Sequence, residues 1–315
     1  MTNLNRRAAL ALAAASATAL TTATPAAAQS SSPAQRIQLA YRAATQAAGG
    51  TWQAFTTLNS QSVITENPTT LTEAYSVNKI AVATAVLDKV DRGLLQLSQR
   101  VDVTADIVIP TGDGILPLDG AYPSSITIGH ALALLLTVSD DTAVRLAGLV
   151  CPAKELNEIL VAKGFPNTQV VPVANPNRFY LGKTTPQETH DLLTQLAAGT
   201  LLSATSTAYL LKILRSQAAF TDGIRRLMSS DERARVATKA GWFNDGRNEA
   251  GIIFDSADKP ALVYALFCQG AGDPTNFGGT HPAVLARVAL GRVLLDAVPA
   301  TTTVKAAPYR PTNGG

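Results

Sequence analysis

The sequence predicts an α+β fold of two lobes, in which one antiparallel sheet is built from both chain ends and the middle of the chain is helical. Three observations carry this expectation. Runs rich in β-branched and aromatic residues cluster at the ends: "TWQAFTTLN" and "QSVITEN" near the start, "RVATKAGWFN", "NEAGIIFDS" and "PALVYALFC" near the finish. The stretch between them has helical texture, broken by Pro, Gly and Asp. No internal repeat or low-complexity block divides the chain into modules. A sheet drawn from both ends closes over the middle and leaves a cleft between the lobes as the natural place for a site.

Residues 33–48 compose a helix, and the two β-rich runs that follow, separated by a polar turn, form a hairpin. Helices are predicted at 76–91, 127–137, 142–150, 154–163, 186–198 and 204–217. From Arg235 three strands are punctuated by turns at "NDGR" and "SADKP", and a closing helix spans about 282–297. The sheet lobe then takes in about 33–70 and 232–300, and the helical lobe about 71–231, within a single domain over 29–300. Residues 301–315, rich in Thr, Pro and Gly, read as a loose tail.

With 46% hydrophobic and 16% charged residues the chain can bury a large core and is too apolar for disorder. Its first 28 residues are set apart from the fold. A basic start, an Ala/Leu run and an A-A-A stretch ending at Ala28 have the layout of an export signal. The pair Arg6–Arg7 points to the twin-arginine route, an ordinary secretory signal being the alternative. An exported, periplasmic or secreted protein starting near Gln29 is expected. Removing 1–28 removes Arg6 and Arg7 and no acidic residue, so the net charge falls from +3 to +1. That balance gives no electrostatic case for nucleic acid or anionic lipid. The apolar run "HALALLLTV" is far too short to cross a bilayer. Cys151 and Cys268 lie in unrelated local settings and read as two buried thiols, with a disulfide left open by an oxidising compartment. His130, His190 and His281 are scattered singly, so neither a metal nor another cofactor is expected.

Three short stretches carry chemistry. Ser76-Val77-Asn78-Lys79 opens an apolar helix with a hydroxyl and an amine at i and i+3, on one face. Such a pair suits a nucleophile and its base, although S-x-x-K alone is a weak signal. Ser139-Asp140-Asp141 lies between two predicted helices, and Lys239-Ala240-Gly241 lies in the first strand of the C-terminal group. In this order and on these elements, the three stretches resemble the S-x-x-K, S-D-N and K-T-G motifs of the class A β-lactamase and penicillin-binding-protein superfamily. The "TTP" at 184–186 and "GRNEAGIIF" after the K-A-G strand are similar to that family as well. The resemblance spans nearly all of the chain after residue 28 and implies a β-lactamase/transpeptidase-like fold.

It further implies a serine acyl hydrolase acting on a small-molecule or peptide substrate; a monomer is expected, although no sequence feature fixes the oligomeric state. Ser76 would be the nucleophile, Lys79 its base, Ser139 a proton relay to the leaving group, and Lys239 the positive charge facing a substrate carboxylate. The backbone N–H groups of Ser76 and Trp242 would form the oxyanion hole, because preorganised donors must face the tetrahedral oxygen. Ala240, Gly241 and Trp242 would line the substrate site.

Three departures from the pattern matter. Between Glu158 and Glu188 there is no Glu or Asp, so the glutamate that activates the hydrolytic water in class A enzymes has no counterpart. Asp141 stands where the family carries Asn; a carboxylate only accepts hydrogen bonds, and a nearby anion favours protonated Lys79. Ala240 replaces the hydroxyl of K-T-G, and Arg247 is either a compensating bidentate grip on the substrate carboxylate or a solvated turn arginine. Acylation with crippled deacylation is the expectation. A DD-peptidase-like or esterase activity and a covalently acylated binding or sensor domain are the alternatives.

Overall fold

Local signals start each element of the sheet lobe. In the computed structural model, which describes residues 31–298, helix α1 (Pro33–Ala48) opens on a reciprocal capping box between Ser32 and Gln35 and on Pro33 in its first turn. Strands β1 (Thr51–Leu58) and β2 (Gln61–Glu66) form the expected hairpin, turning through Asn59 and Ser60 at positive φ. The expected export segment and C-terminal tail lie outside the described residues.

Strand β3 (Thr72–Glu73) leads into a 3-10 turn, Tyr75–Asn78, and helix α2 (Lys79–Asp91). The α-helix thus begins at Lys79, three residues later than predicted. Next come β4 (Arg100–Val103), the short α3 (Leu116–Asp119), β5 (Ser124–Thr127), α4 (Ile128–Thr137), α5 (Asp141–Val150) and α6 (Ala153–Ala162). After β6 (Gln169–Pro172) and β7 (Phe179–Thr184) the helices resume with α7 (Pro186–Ala197), α8 (Ala204–Leu214) and α9 (Ser230–Arg233). The chain closes with β8 (Val236–Phe243), β9 (Gly246–Phe254), β10 (Pro260–Gln269) and α10 (Pro282–Ala297).

The main sheet is antiparallel in the order β2-β1-β10-β9-β8, joining both chain ends as expected. Its side chains alternate between two cores, as the two-residue period of a strand requires. Ala237, Ala250, Ile252, Val263 and Ala265 face the helical lobe and belong to its core, where α7 and α8 lie against this face of the sheet. Val236, Ile253, Leu262, Tyr264 and Leu266 face the other way, under α1 and α10. Cys151 and Cys268 are buried and unpaired, and burial raises both thiols to about 12.

The middle lobe is not purely helical. A ribbon β4-β5 and a three-stranded sheet β3-β7-β6 are set into it. Their strands are two to six residues long, too short to imprint a periodicity on the sequence. The second sheet matters because β3 ends two residues before the turn that carries Ser76, so the ribbon β6-β7 is tied directly to the entry of that turn.

Candidate active site

Ser76 sits in the 3-10 turn that feeds α2, where residues i and i+3 eclipse one another. Lys79 is therefore the next residue along the same line. Asn78, buried between them in sequence, donates from Nδ2 to the carbonyls of Leu181 and Lys183 and fastens the turn to β7. Tyr75 immediately before the serine has φ +51°, a left-handed conformation that costs a bulky side chain about 1–2 kcal/mol. Ser76 is half-buried, and its hydroxyl forms no hydrogen bond among the described residues.

Lys79, Ser139, Asp141 and Lys239 meet in one network. Lys79 Nζ donates to the Ser139 carbonyl at 2.5 Å, to Ser139 Oγ at 3.1 Å and to Asp141 Oδ1 at 2.7 Å. Lys239 Nζ reaches the same Ser139 Oγ at 3.0 Å and the Ala240 carbonyl at 2.7 Å. Both lysines are sealed from solvent, at 0% and 2% exposure, whereas the Asp141 side chain is 35% exposed. Burial pushes Lys79 below the usual ammonium range, opposed by Asp141; burial and then the charge of Lys79 push Lys239 well below it. Ser139 Oγ can accept from both amines and keeps its own proton to donate.

The Ser139–Asp141 segment is held by strain and by caps. Ser139 has φ +57°, the second non-glycine residue of the site in the left-handed region. Asp140, fully buried, caps α5 through Ala143 N and accepts from Ile115 N and Leu116 N with its other oxygen. Two adjacent aspartates thus do different work: Asp140 fixes the backbone, and Asp141 engages the lysine. Asp113, which the sequence reading did not single out, joins Asp141 through reciprocal backbone contacts: Asp113 N donates to Asp141 Oδ2, and Asp141 N donates to the Asp113 carbonyl. Partial shielding of its carboxyl, and then the neighbouring Asp141, raise Asp113 above the usual carboxylate value.

Strand β8 is the edge of the main sheet, so one side of it is free. An antiparallel ladder alternates hydrogen-bonded and open pairs. Counting from the closing pair Phe243–Gly246, Trp242 faces Arg247 and Ala240 faces Glu249 in open pairs. The N–H and C=O of Trp242 and Ala240 therefore point to the free edge, in line with the bond from Lys239 Nζ to the Ala240 carbonyl. Gly241 lies against the serine turn: a Cβ there would come within 2.6 Å of Ser76 N and 2.7 Å of Val77 N, so only glycine allows this approach.

A hydroxyl, two paired amines and a free strand edge thus come together from three segments far apart in the sequence. The profile of the β-lactamase enzyme family matches residues 33–298. The chain belongs to the β-lactamase enzyme family. Solved members of the fold are similar throughout. A β-lactamase from Sphaerobacter thermophilus is 23% identical, with 83% of this chain and 96% of that chain covered and a TM-score of 0.70. A class A β-lactamase from Bacteroides cellulosilyticus is 18% identical, covering 85% and 99% with a TM-score of 0.70. PBP-A is 20% identical, covering 83% and 95% with a TM-score of 0.67. A search of curated proteins finds no match.

Two residues expected among the substrate contacts of this β-lactamase-family site are placed otherwise. The Ala240 methyl is fully buried on the face turned to α10, so its side chain does not line the site. Arg247, 1% exposed, is neither a solvated turn arginine nor free to grip a carboxylate. Its Nη1 donates to the carbonyls of Asn244 and Gly246 and its Nη2 to those of Pro274 and Asn276, and the guanidinium lies over Phe277. Trp242 is half-buried with its ring tilted against Phe220, walling one end of β8.

The region of the missing glutamate is the ribbon β6-β7, and its acidic anchor is Glu188 of α7. The Glu188 carboxylate accepts from Asn167 N, Asn167 Nδ2 and Thr168 Oγ1, at 2.7 to 3.0 Å. These bonds staple the start of the ribbon to α7 and occupy both oxygens. Glu188→Gln is expected to lower stability by about 1–2 kcal/mol in urea unfolding, through loss of one acceptor, while leaving deacylation unchanged. Abolished turnover in that variant would make Glu188 the hydrolytic base.

Proposed function

We propose that this β-lactamase-family serine hydrolase is exported and forms an acyl-enzyme at Ser76 with a β-lactam or a related amide or ester, then releases it slowly. The observation that carries the reading is Ser139 Oγ held between Lys79 Nζ and Lys239 Nζ, at 3.1 and 3.0 Å. Ser76 Oγ attacks the carbonyl carbon as its proton passes to neutral Lys79. The tetrahedral oxygen is met by the N–H groups of Ser76 and Trp242, a reading supported by the close approach of Gly241 to the serine turn. Collapse breaks the C–N or C–O bond, and the leaving atom takes the Ser139 proton, which is replaced from Lys79. Lys239 supplies positive charge at the edge where a substrate carboxylate would lie.

Slow release rests on the ribbon β6-β7, which offers no carboxylate between Glu158 and Glu188 to activate a water. The acylation step has support from PBP-A, whose fold the chain shares and of which a mutant has been solved as an acyl-enzyme complex with penicillin G; a DD-peptidase-like or esterase activity is the second reading. Intact-mass spectrometry separates the readings. Incubation with a penicillin is expected to add the whole penicillin mass and to hold it for many minutes. Prompt return to the free mass with turnover would favour an efficient β-lactamase. No adduct with penicillins, cephalosporins, D-Ala-D-Ala peptides or simple esters would contradict the proposal.

A further inference from the structure

On the face of the sheet turned to α10, opposite the serine turn, the protein buries more positive charge than it neutralises. Arg225, Arg247 and Arg287 are each at most 1% exposed, and the carboxylate buried with them is Glu249, at 0%. Glu249 is already supplied. It accepts from Thr238 Oγ1 at 2.8 Å and from Ile224 N at 3.2 Å, and Arg287 Nε lies 3.5 Å from its second oxygen. The other acids near this region, Asp245 and Asp273, are exposed, and Asp273 accepts from Thr275.

Among the described residues several buried donors here have no hydrogen-bond partner: Arg287 Nε, which only approaches Glu249, two nitrogens of Arg225, and the three that matter below, Arg247 Nε, Arg287 Nη1 and His281 Nε2. The fold draws their residues together. Arg247 and Glu249 are two apart on β9 and so share a face. Glu249 meets Arg287 of α10, and His281 caps that helix about one and a half turns before Arg287. The loop that Arg247 holds through Pro274 and Asn276 runs straight into His281. The imidazole has a fixed tautomer: Nδ1 accepts from Ala283 N at 3.2 Å, so Nε2 carries the proton and can only donate. Burial, and then the charges of Arg247 and Arg287, keep His281 below its usual value and neutral.

Three N–H groups that only donate, two of them cationic, ask for a ligand that only accepts. A water would bring two protons needing acceptors and would leave the charge excess in place. We propose that Arg247, His281 and Arg287 hold a small monovalent inorganic anion of halide size between β9 and the first turns of α10. The anion locks α10 onto β9, the strand that pairs with β8 and so positions Lys239 from behind. Its site is separate from Ser76, on the opposite face of the sheet.

The full chain can be tested directly. Thermal unfolding in sodium chloride or bromide, against sodium gluconate at equal ionic strength, is expected to show a saturable rise in Tm of about 5 °C. Crystals grown in bromide should show an anomalous peak within hydrogen-bond range of the three nitrogens. His281→Asn keeps a good helix cap and removes the Nε2 donor, and should shift the halide midpoint upward about tenfold. Equal Tm values in halide and gluconate, no bromide peak at this position, or an unmoved midpoint in His281→Asn would each overturn the proposal.

Discussion

Ser76→Ala is expected to abolish acyl-enzyme formation, lowering the acylation rate by at least about a thousandfold. The reason is local. Ser139, the other hydroxyl in the network, is buried at 6% exposure and tied to both lysines, so it cannot take over the attack. Stability should barely change, because the Ser76 hydroxyl makes no hydrogen bond among the described residues and its backbone stays in the same turn. Stopped-flow acylation with a chromogenic cephalosporin, alongside urea unfolding, separates the two effects. A variant that acylates at more than a few per cent of the parent rate would move the nucleophile elsewhere.

Asp141→Asn is the second large effect, and it runs in the opposite direction. Lys79 must be neutral to accept a proton, and the neutral fraction falls tenfold for each pH unit below its pKa. Burial lowers that pKa, while the Asp141 carboxylate at 2.7 Å is the leading influence that raises it. Removing the charge lets the pKa fall further. The base form then grows at neutral pH, and the acid limb of the acylation profile moves to lower pH. A gain of about ten- to a hundredfold in acylation rate at pH 7 is expected. Stability should drop by about 1 kcal/mol, because an amide turned to satisfy Lys79 no longer accepts from Asp113 N. An unshifted pH profile would remove Asp141 from control of Lys79.

Much of this site was legible in the sequence because three motifs in family order fix which residues converge. A long helix such as α7 was equally legible, since Thr185 caps its start and Pro186 opens its first turn; the start of α2, which has no side-chain cap, was read three residues early. The rest depended on tertiary approach. Asp140 and Asp141 are the same residue type side by side, and only the phase of α5 decides that one caps and the other meets Lys79. Asp113 comes from a loop with no periodicity and enters through contacts 28 residues apart. Arg247 in "NDGRN" reads as a substrate grip or a solvated turn arginine, yet the loop carrying Pro274 and Asn276 folds back to surround it. The left-handed conformations of Tyr75 and Ser139 have no sequence signal, because neither residue type favours them.

Where the acyl group lands is the most direct test. Protein quenched after incubation with a penicillin, digested with trypsin and sequenced by mass spectrometry, should carry the adduct on the peptide that ends at Lys79, localised to Ser76. An adduct on Ser139, on a lysine, or on any peptide lacking Ser76 would contradict the account.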